Sequence, residues 1–289
     1  MFPTLFKIGG FTVTSFGLMM FLAFVAGGWV LSKQLERRGQ NPGIAWDVLA
    51  WLALGGILGA RLYYIALHVD DFVANPMHEL LSRGGLVWYG GFIGGVLAYY
   101  WQVRKHKLPL ATMFDASAPA LALAYAVGRV GCFLVGDDYG LPTRSWVGIK
   151  FPEGSPPSTA GYLRTVGGQI PANVPDGTVL AVHPTQLYEV GAGLLMFAIL
   201  WRLSSSRKLR PGRLFAVWLV LYGIERFLIE FVRAKGDRVL LGLSTSQLAS
   251  ALLLVLAAAI WLRARGEPAP AIAGGRAKPH STTPTGVRA

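Results

Sequence analysis

A chain in which seven apolar stretches of about 20 residues follow one another has few folds open to it. The stretches lie at about 11–31, 48–68, 86–103, 114–135, 183–203, 214–233 and 244–262. Each is close to the length that crosses a bilayer core as a helix. Backbone groups in hydrocarbon must satisfy one another internally, which leaves helices or a closed barrel. The alternating ten-residue segments of a barrel are absent. The expected fold class is therefore an all-α integral membrane protein with seven transmembrane helices.

Charge placement threads those helices. Only Lys7 precedes the first apolar run, whereas Lys33, Arg37 and Arg38 follow it. That asymmetry puts the N-terminus outside and reads the run as a retained helix rather than a cleaved signal peptide. With that start, the stretches 32–47, 104–113, 202–213 and 263–289 are cytoplasmic and hold 16 of the 27 Lys and Arg residues. The net charge of +12 then reports topology and contact with anionic lipid heads, not nucleic-acid binding. The C-terminus is then cytoplasmic. Residues 1–262 form the membrane domain, and the Ala/Pro/Gly-rich stretch 263–289 reads as a disordered cytoplasmic tail. The long segment 136–182, with six prolines, reads as an extracytoplasmic cap loop between helices 4 and 5.

The sole cysteine, Cys132, excludes an intrachain disulfide and a multi-cysteine zinc site. No histidines stand at metal-ligand spacing, so neither a metal nor an organic cofactor is expected.

Four arginines sit inside apolar stretches: Arg61, Arg129, Arg226 and Arg233. A charge in hydrocarbon is costly and faces a bundle interior or a wet cavity, with a partner or an anionic ligand. In the threaded topology all four fall in the outer halves of helices 2, 4 and 6. Tyr89 and His183 stand at the outer ends of helices 3 and 5. In helix 6, Tyr222, Arg226, Glu230 and Arg233 are spaced by four, four and three residues and share one face. Glu225 is turned about 100° from Arg226 and need not join them. The four cations outnumber Glu230, and Asp137 and Asp138 follow helix 4. Two arrangements fit this pattern, a self-neutralised ion-pair network or a site for a lipid phosphate gripped by arginine forks.

These residues resemble the prolipoprotein diacylglyceryl transferase family. The matches are Gly-Ala-Arg61-Leu-Tyr, Tyr89-Gly-Gly, Gly128-Arg129-Val-Gly with Asp137 and Gly140, His183-Pro-Thr-Gln-Leu-Tyr188-Glu189, and Tyr222-Gly-Ile-Glu-Arg226-Phe-Leu-Ile-Glu230-Phe-Val-Arg233. Many members carry histidine where this chain has Tyr89, asparagine where it has Cys132, and glutamate where it has Asp137. The resemblance implies transfer of the diacylglyceryl group of phosphatidylglycerol to the lipobox cysteine thiol of a prelipoprotein signal peptide, with glycerol phosphate released. It implies catalytic roles for Arg129, Arg226, Asp137 and Tyr89. Substrate contacts fall to Arg129, Arg61, Arg233, Glu230, His183 and Tyr222. Asp137, Asp138 and His183 are the candidates to take the thiol proton. A non-catalytic or altered-acceptor lipid-binding relative and an arginine-lined anion transporter are the rival readings.

Overall fold

The computed structural model describes residues 2–9, 11–82, 85–206, 209–236, 238–240 and 242–264. From 265 onward the expected tail lies outside the described residues.

The chain opens with a short antiparallel hairpin, β1 (Thr4–Ile8) and β2 (Phe11–Thr14). Helix α1 (Ser15–Arg37) follows directly, and Thr14 Oγ1 accepts the Gly17 amide at 3.1 Å to cap it. The sequence reading started this helix at residue 11. Thr12, Val13 and Thr14 are β-branched, and hydropathy alone does not separate a strand from the helix it feeds. Next come α2 (Ile44–Leu67), two single-turn helices α3 (Val69–Ala74) and α4 (Pro76–Leu81), α5 (Trp88–Lys105) and α6 (Leu110–Val135). A folded connection holds β3 (Ile149–Lys150), α7 (Ala160–Thr165) and β4 (Ala181–Val182). The chain then runs through α8 (Thr185–Ser206), α9 (Arg213–Ile229), the β5 (Arg238–Leu240) and β6 (Leu243–Ser244) pair, and α10 (Thr245–Arg263).

Among the described residues, α1, α2, α6, α8 and α10 are long and apolar enough to cross a membrane. Helices α5 and α9, of 18 and 17 residues, fall outside that group. The first ends in Arg104 and Lys105, and the second carries Arg213, Glu225 and Arg226. This is a multi-pass helical membrane protein.

Helices α2 and α5 meet along glycines. A Cβ added at Gly90 would lie 2.3 Å from the Gly59 carbonyl oxygen, and one at Gly94 would lie 2.2 Å from that of Gly55. Gly55/Gly59 and Gly90/Gly94 are both spaced by four, the arrangement that lets membrane helices approach backbone to backbone. The glycine that follows Tyr89 is thereby explained by packing.

One core joins α1, α2, α5 and α6 through Val30, Leu35, Val48, Val103 and Met113. A second joins α6, α8 and α9 through Ala118, Ala122, Met196, Leu200 and Leu214. The start of α9 is held by Asp115 of α6, whose carboxylate accepts the Gly212 and Phe215 amides at 2.8 and 2.9 Å. This cap from another helix fixes α9 against α6 and therefore the register of Arg226 against Arg129. The connection between α6 and α8 has its own core of Tyr139, Phe151, Leu163 and Val182.

Candidate functional site

Helix α6 ends at Val135, and Gly136 turns the chain with φ of 74°. Asp138 also takes a left-handed conformation, with φ of 56°, which aspartate tolerates better than most residues. Two such turns fold the chain back on its own helix. As a result, Asp138 Oδ2 accepts Arg129 Nη1 at 3.0 Å.

Helix α9 ends at Ile229, one turn earlier than the sequence reading had it, and Glu230 is its C-cap. The backbone then runs beside the 139–141 segment. Gly140 and Arg233 form a β-bridge, and the Leu141 amide donates to the Val232 carbonyl at 2.8 Å. Arg233 therefore reaches the site from a bridged turn rather than from a continuous helix face. Glu230 Oε2 still meets Arg226 Nη2 at 3.1 Å and Arg233 Nη1 at 3.9 Å. Arg233 Nη2 donates to Asp138 Oδ1.

Glu189, on the second turn of α8, completes the arrangement. Its side chain is 0% exposed, and its Oε1 accepts Arg129 Nη2 at 3.1 Å and Arg226 Nη1 at 2.9 Å. The result is a closed ring of alternating charge: Asp138, Arg129, Glu189, Arg226, Glu230, Arg233 and back to Asp138. Three separate pieces of chain supply it: α6 with the turn after it, α8, and α9 with the turn after it. Tyr125 lies beside the ring, with its hydroxyl 3.1 Å from Glu189 Oε1 and 3.2 Å from Glu225 Oε2. The Arg129 guanidinium lies 5.4 Å from the Tyr125 ring centre, in cation–π range. Tyr222 meets Tyr125 edge-on at 5.3 Å.

The ring corrects the sequence reading at several points. Three arginines face three carboxylates, so the expected excess of positive charge is not what the side chains show. Glu189 supplies the missing negative charge. Arg61 instead hydrogen-bonds the Ser82 hydroxyl and carbonyl. Tyr89 is 65% exposed and its ring packs against Trp88. His183 Nδ1 pairs with the Tyr188 hydroxyl at 3.1 Å. Glu225 does join the site, through Tyr125 on a different helix. The two adjacent aspartates are split: Asp138 lies in the ring, whereas Asp137 Oδ1 is buried with no hydrogen-bond partner.

Their electrostatics differ accordingly. Burial and the charge of Asp138 raise the Asp137 pKa. Burial also acts on Asp138, but Arg233 and Arg129 outweigh it and hold that carboxyl below its ordinary value. A lowered carboxyl pKa adds stability above the ordinary value of about 3.9 and loses it as the pH falls through the folded-state pKa. Thermal melts of the protein in detergent should therefore drop as the pH falls below about 3.9. The drop should be shallower in Asp138→Asn, and equal slopes would show that Asp138 is not held by the ring.

Other groups do not compete for the chemistry. Donor atoms of Cys132, Asp137 and Asp138 lie within 4.8 Å of one another, but two guanidiniums already neutralise Asp138. An apolar groove of about 370 Å³ between α9 and α10, lined by Val217, Val220, Leu254 and Trp261, carries no ionisable residue. It lies toward the other end of α9 from Arg226.

Fold and ring together define a multi-pass helical membrane protein with a buried arginine–carboxylate centre at one end of its bundle. A model of prolipoprotein diacylglyceryl transferase matches residues 3–263, and the chain belongs to that family. Among similar proteins is the phosphatidylglycerol–prolipoprotein diacylglyceryl transferase of Clostridium tetani, 32% identical over 257 residues that cover 88% of this chain and 94% of that one. The protein of the same name from Xanthomonas oryzae pv. oryzae is 33% identical over 300 residues, covering 99% and 97%. Its counterpart from Gloeobacter violaceus is 32% identical over 273 residues, covering 91% and 93%.

Proposed function

We propose that this chain transfers the diacylglyceryl group of phosphatidylglycerol to the lipobox cysteine thiol of prelipoproteins and releases glycerol phosphate. It does so in the bacterial cytoplasmic membrane, crossing it seven times with the N-terminus outside and the C-terminus cytoplasmic. Helices α5 and α9 are then the two shorter spans, and the 136–182 connection lies outside. The lysine and arginine distribution along the loops supports this threading.

One observation carries the reading: Arg129 and Arg226 converge on a single carboxylate oxygen of Glu189. A phosphate oxygen beside that carboxylate would meet the remaining donors of both guanidiniums. Each guanidinium has five N–H donors, and the ring does not use them all. Arg233 Nε is a buried donor without a partner, so the site keeps donor capacity for an anionic ligand.

In the reaction the acceptor sulfur attacks the glycerol carbon that bears the phosphate ester. The S–C bond forms and the C–O bond breaks, with its electron pair moving to the phosphate oxygen. Arg129 and Arg226 meet the negative charge gathering there, and Glu230 and Arg233 hold Arg226 in place. A thiol with an unperturbed pKa of about 8.5 must lose its proton to attack. Asp137, whose buried Oδ1 has no hydrogen-bond partner, and Asp138 beside Arg129 are the candidates to take it.

The test is direct. Purified protein is incubated with phosphatidylglycerol and a lipobox peptide, and thioether-lipidated peptide is sought by mass spectrometry. Product is the expected result. Tight lipid binding without product would replace the transferase with a lipid-binding relative, and anion flux in liposomes would favour a transporter.

A further inference from the structure

The groove between α9 and α10 lies at the end of the two helices away from the ring. Alanines make the space: Ala216 of α9 and Ala257 and Ala258 of α10 line it, where larger side chains would fill it. Val220, Leu254 and Trp261 form its walls. The groove has a volume of about 370 Å³ and extends from Leu254 to Leu262, about 12 Å along α10 at the helical rise. That is close to the roughly 15 Å of hydrocarbon in one leaflet, half of the bilayer core.

The end of the groove at Trp261 is basic. Arg213, the first residue of α9, lays its guanidinium 4.6 Å from the centre of the Trp261 ring. It is half-buried, and among the described residues it has no carboxylate partner. Arg210 precedes α9 and Arg263 ends α10, and both are exposed. No Asp or Glu occurs in 202–224 or in 245–264. The carboxylate that α6 brings to this end, Asp115, is taken by the Gly212 and Phe215 amides. In the threading proposed above, this end faces the cytoplasm.

We propose that the groove holds an acyl chain of one anionic phospholipid from the cytoplasmic leaflet, with the lipid phosphate on Arg213. Basic pockets between membrane helices on the cytoplasmic side suit anionic head groups. Arginine offers phosphate a fork of donors, and the indole of Trp261 marks the interfacial level at which a phosphate sits. Charge decides against two other occupants. Residues 265–289 carry Arg265, Arg276, Lys278 and Arg288 against Glu267 alone, so that segment would bring cations to cations. A second copy would bring the same basic edge. This lipid is distinct from the donor, because Arg226 lies beyond the other end of the groove. It ties α10 to α9, the helix that carries Arg226.

Native mass spectrometry of the full chain tests this by counting retained lipids as dioleoyl phosphatidic acid or dioleoyl phosphatidylcholine is titrated in. Ala258→Trp, at an exposed position that lines the groove, should reduce the number retained by one for both lipids. The binding step it removes should favour phosphatidic acid about fivefold in the parent protein, the usual worth of one basic side chain near a lipid surface. Arg213→Gln should abolish that preference and leave phosphatidylcholine retention unchanged. An unchanged count in Ala258→Trp overturns the proposal, and so does an unchanged preference in Arg213→Gln. A dimer that Ala258→Trp breaks apart would give the groove to a second copy and overturn it as well. If Ala258→Trp does not fold, the loss of preference in Arg213→Gln decides alone.

Discussion

Arg129→Lys and Arg226→Lys should each lose about 10²–10³ in turnover, the usual effect of removing one preorganised donor from a site of developing charge. Both variants keep the positive charge that the ring needs, so folding and insertion should survive. What they lose is the planar fork. Arg129 reaches Asp138 with Nη1 and Glu189 with Nη2, and a lysine cannot bridge both carboxylates and also face a phosphate. Tyr89→Phe is the contrasting case. Its ring stands 65% exposed against Trp88, so loss of the hydroxyl should cost at most about tenfold, near 1.4 kcal/mol. Turnover of purified variants on the same lipid and peptide decides the matter. A dead Tyr89→Phe beside an active Arg129→Lys would reverse the roles assigned here.

The arginines were legible in the sequence because a charge inside an apolar stretch is rare and must be accounted for. Their spacing on α9 gave the Arg226–Glu230 pair correctly. It did not give the end of that helix, since nothing local to Glu230 shows that the next residues will bridge to Gly140. Glu189 was quoted only as part of a motif, although a signal for it existed. It is the only carboxylate in the apolar stretch 183–203, as conspicuous there as Arg129 is in 114–135. Pairing lone intramembrane acids with lone intramembrane bases would have found the contact. Glu225 was set aside because it turns away from Arg226 on one helix. A site enclosed by three helices has room on both sides, and Tyr125 of α6 reaches it. The turn at Asp138 was not legible, because it depends on a left-handed residue that is not glycine. The β1–β2 hairpin was hidden by apolar residues that continue into α1.

Removing the charge of Glu189 should be the most damaging single change to stability. Its Oε1 sits between Arg129 and Arg226, and its side chain is wholly shielded from solvent. Glu189→Gln keeps the size of the side chain but leaves two guanidiniums facing each other across a neutral amide, in surroundings that screen charge poorly. Breaking a buried pair in this way costs about 3–5 kcal/mol, because the surviving charge is left uncompensated. Thermal unfolding in detergent or nanodiscs should show the loss directly, and phosphatidylglycerol turnover should fall with it. Glu189→Gln combined with Arg226→Gln removes one charge of each sign from the ring. If the damage comes from uncompensated charge, the double variant should be more stable than Glu189→Gln alone while remaining inactive. A double variant worse than either single change would mean that Glu189 acts through packing against α6 and α9. An unchanged melting temperature in Glu189→Gln would mean that Asp138 and Glu230 suffice to hold the arginines, and the ring would then have no need of its buried carboxylate.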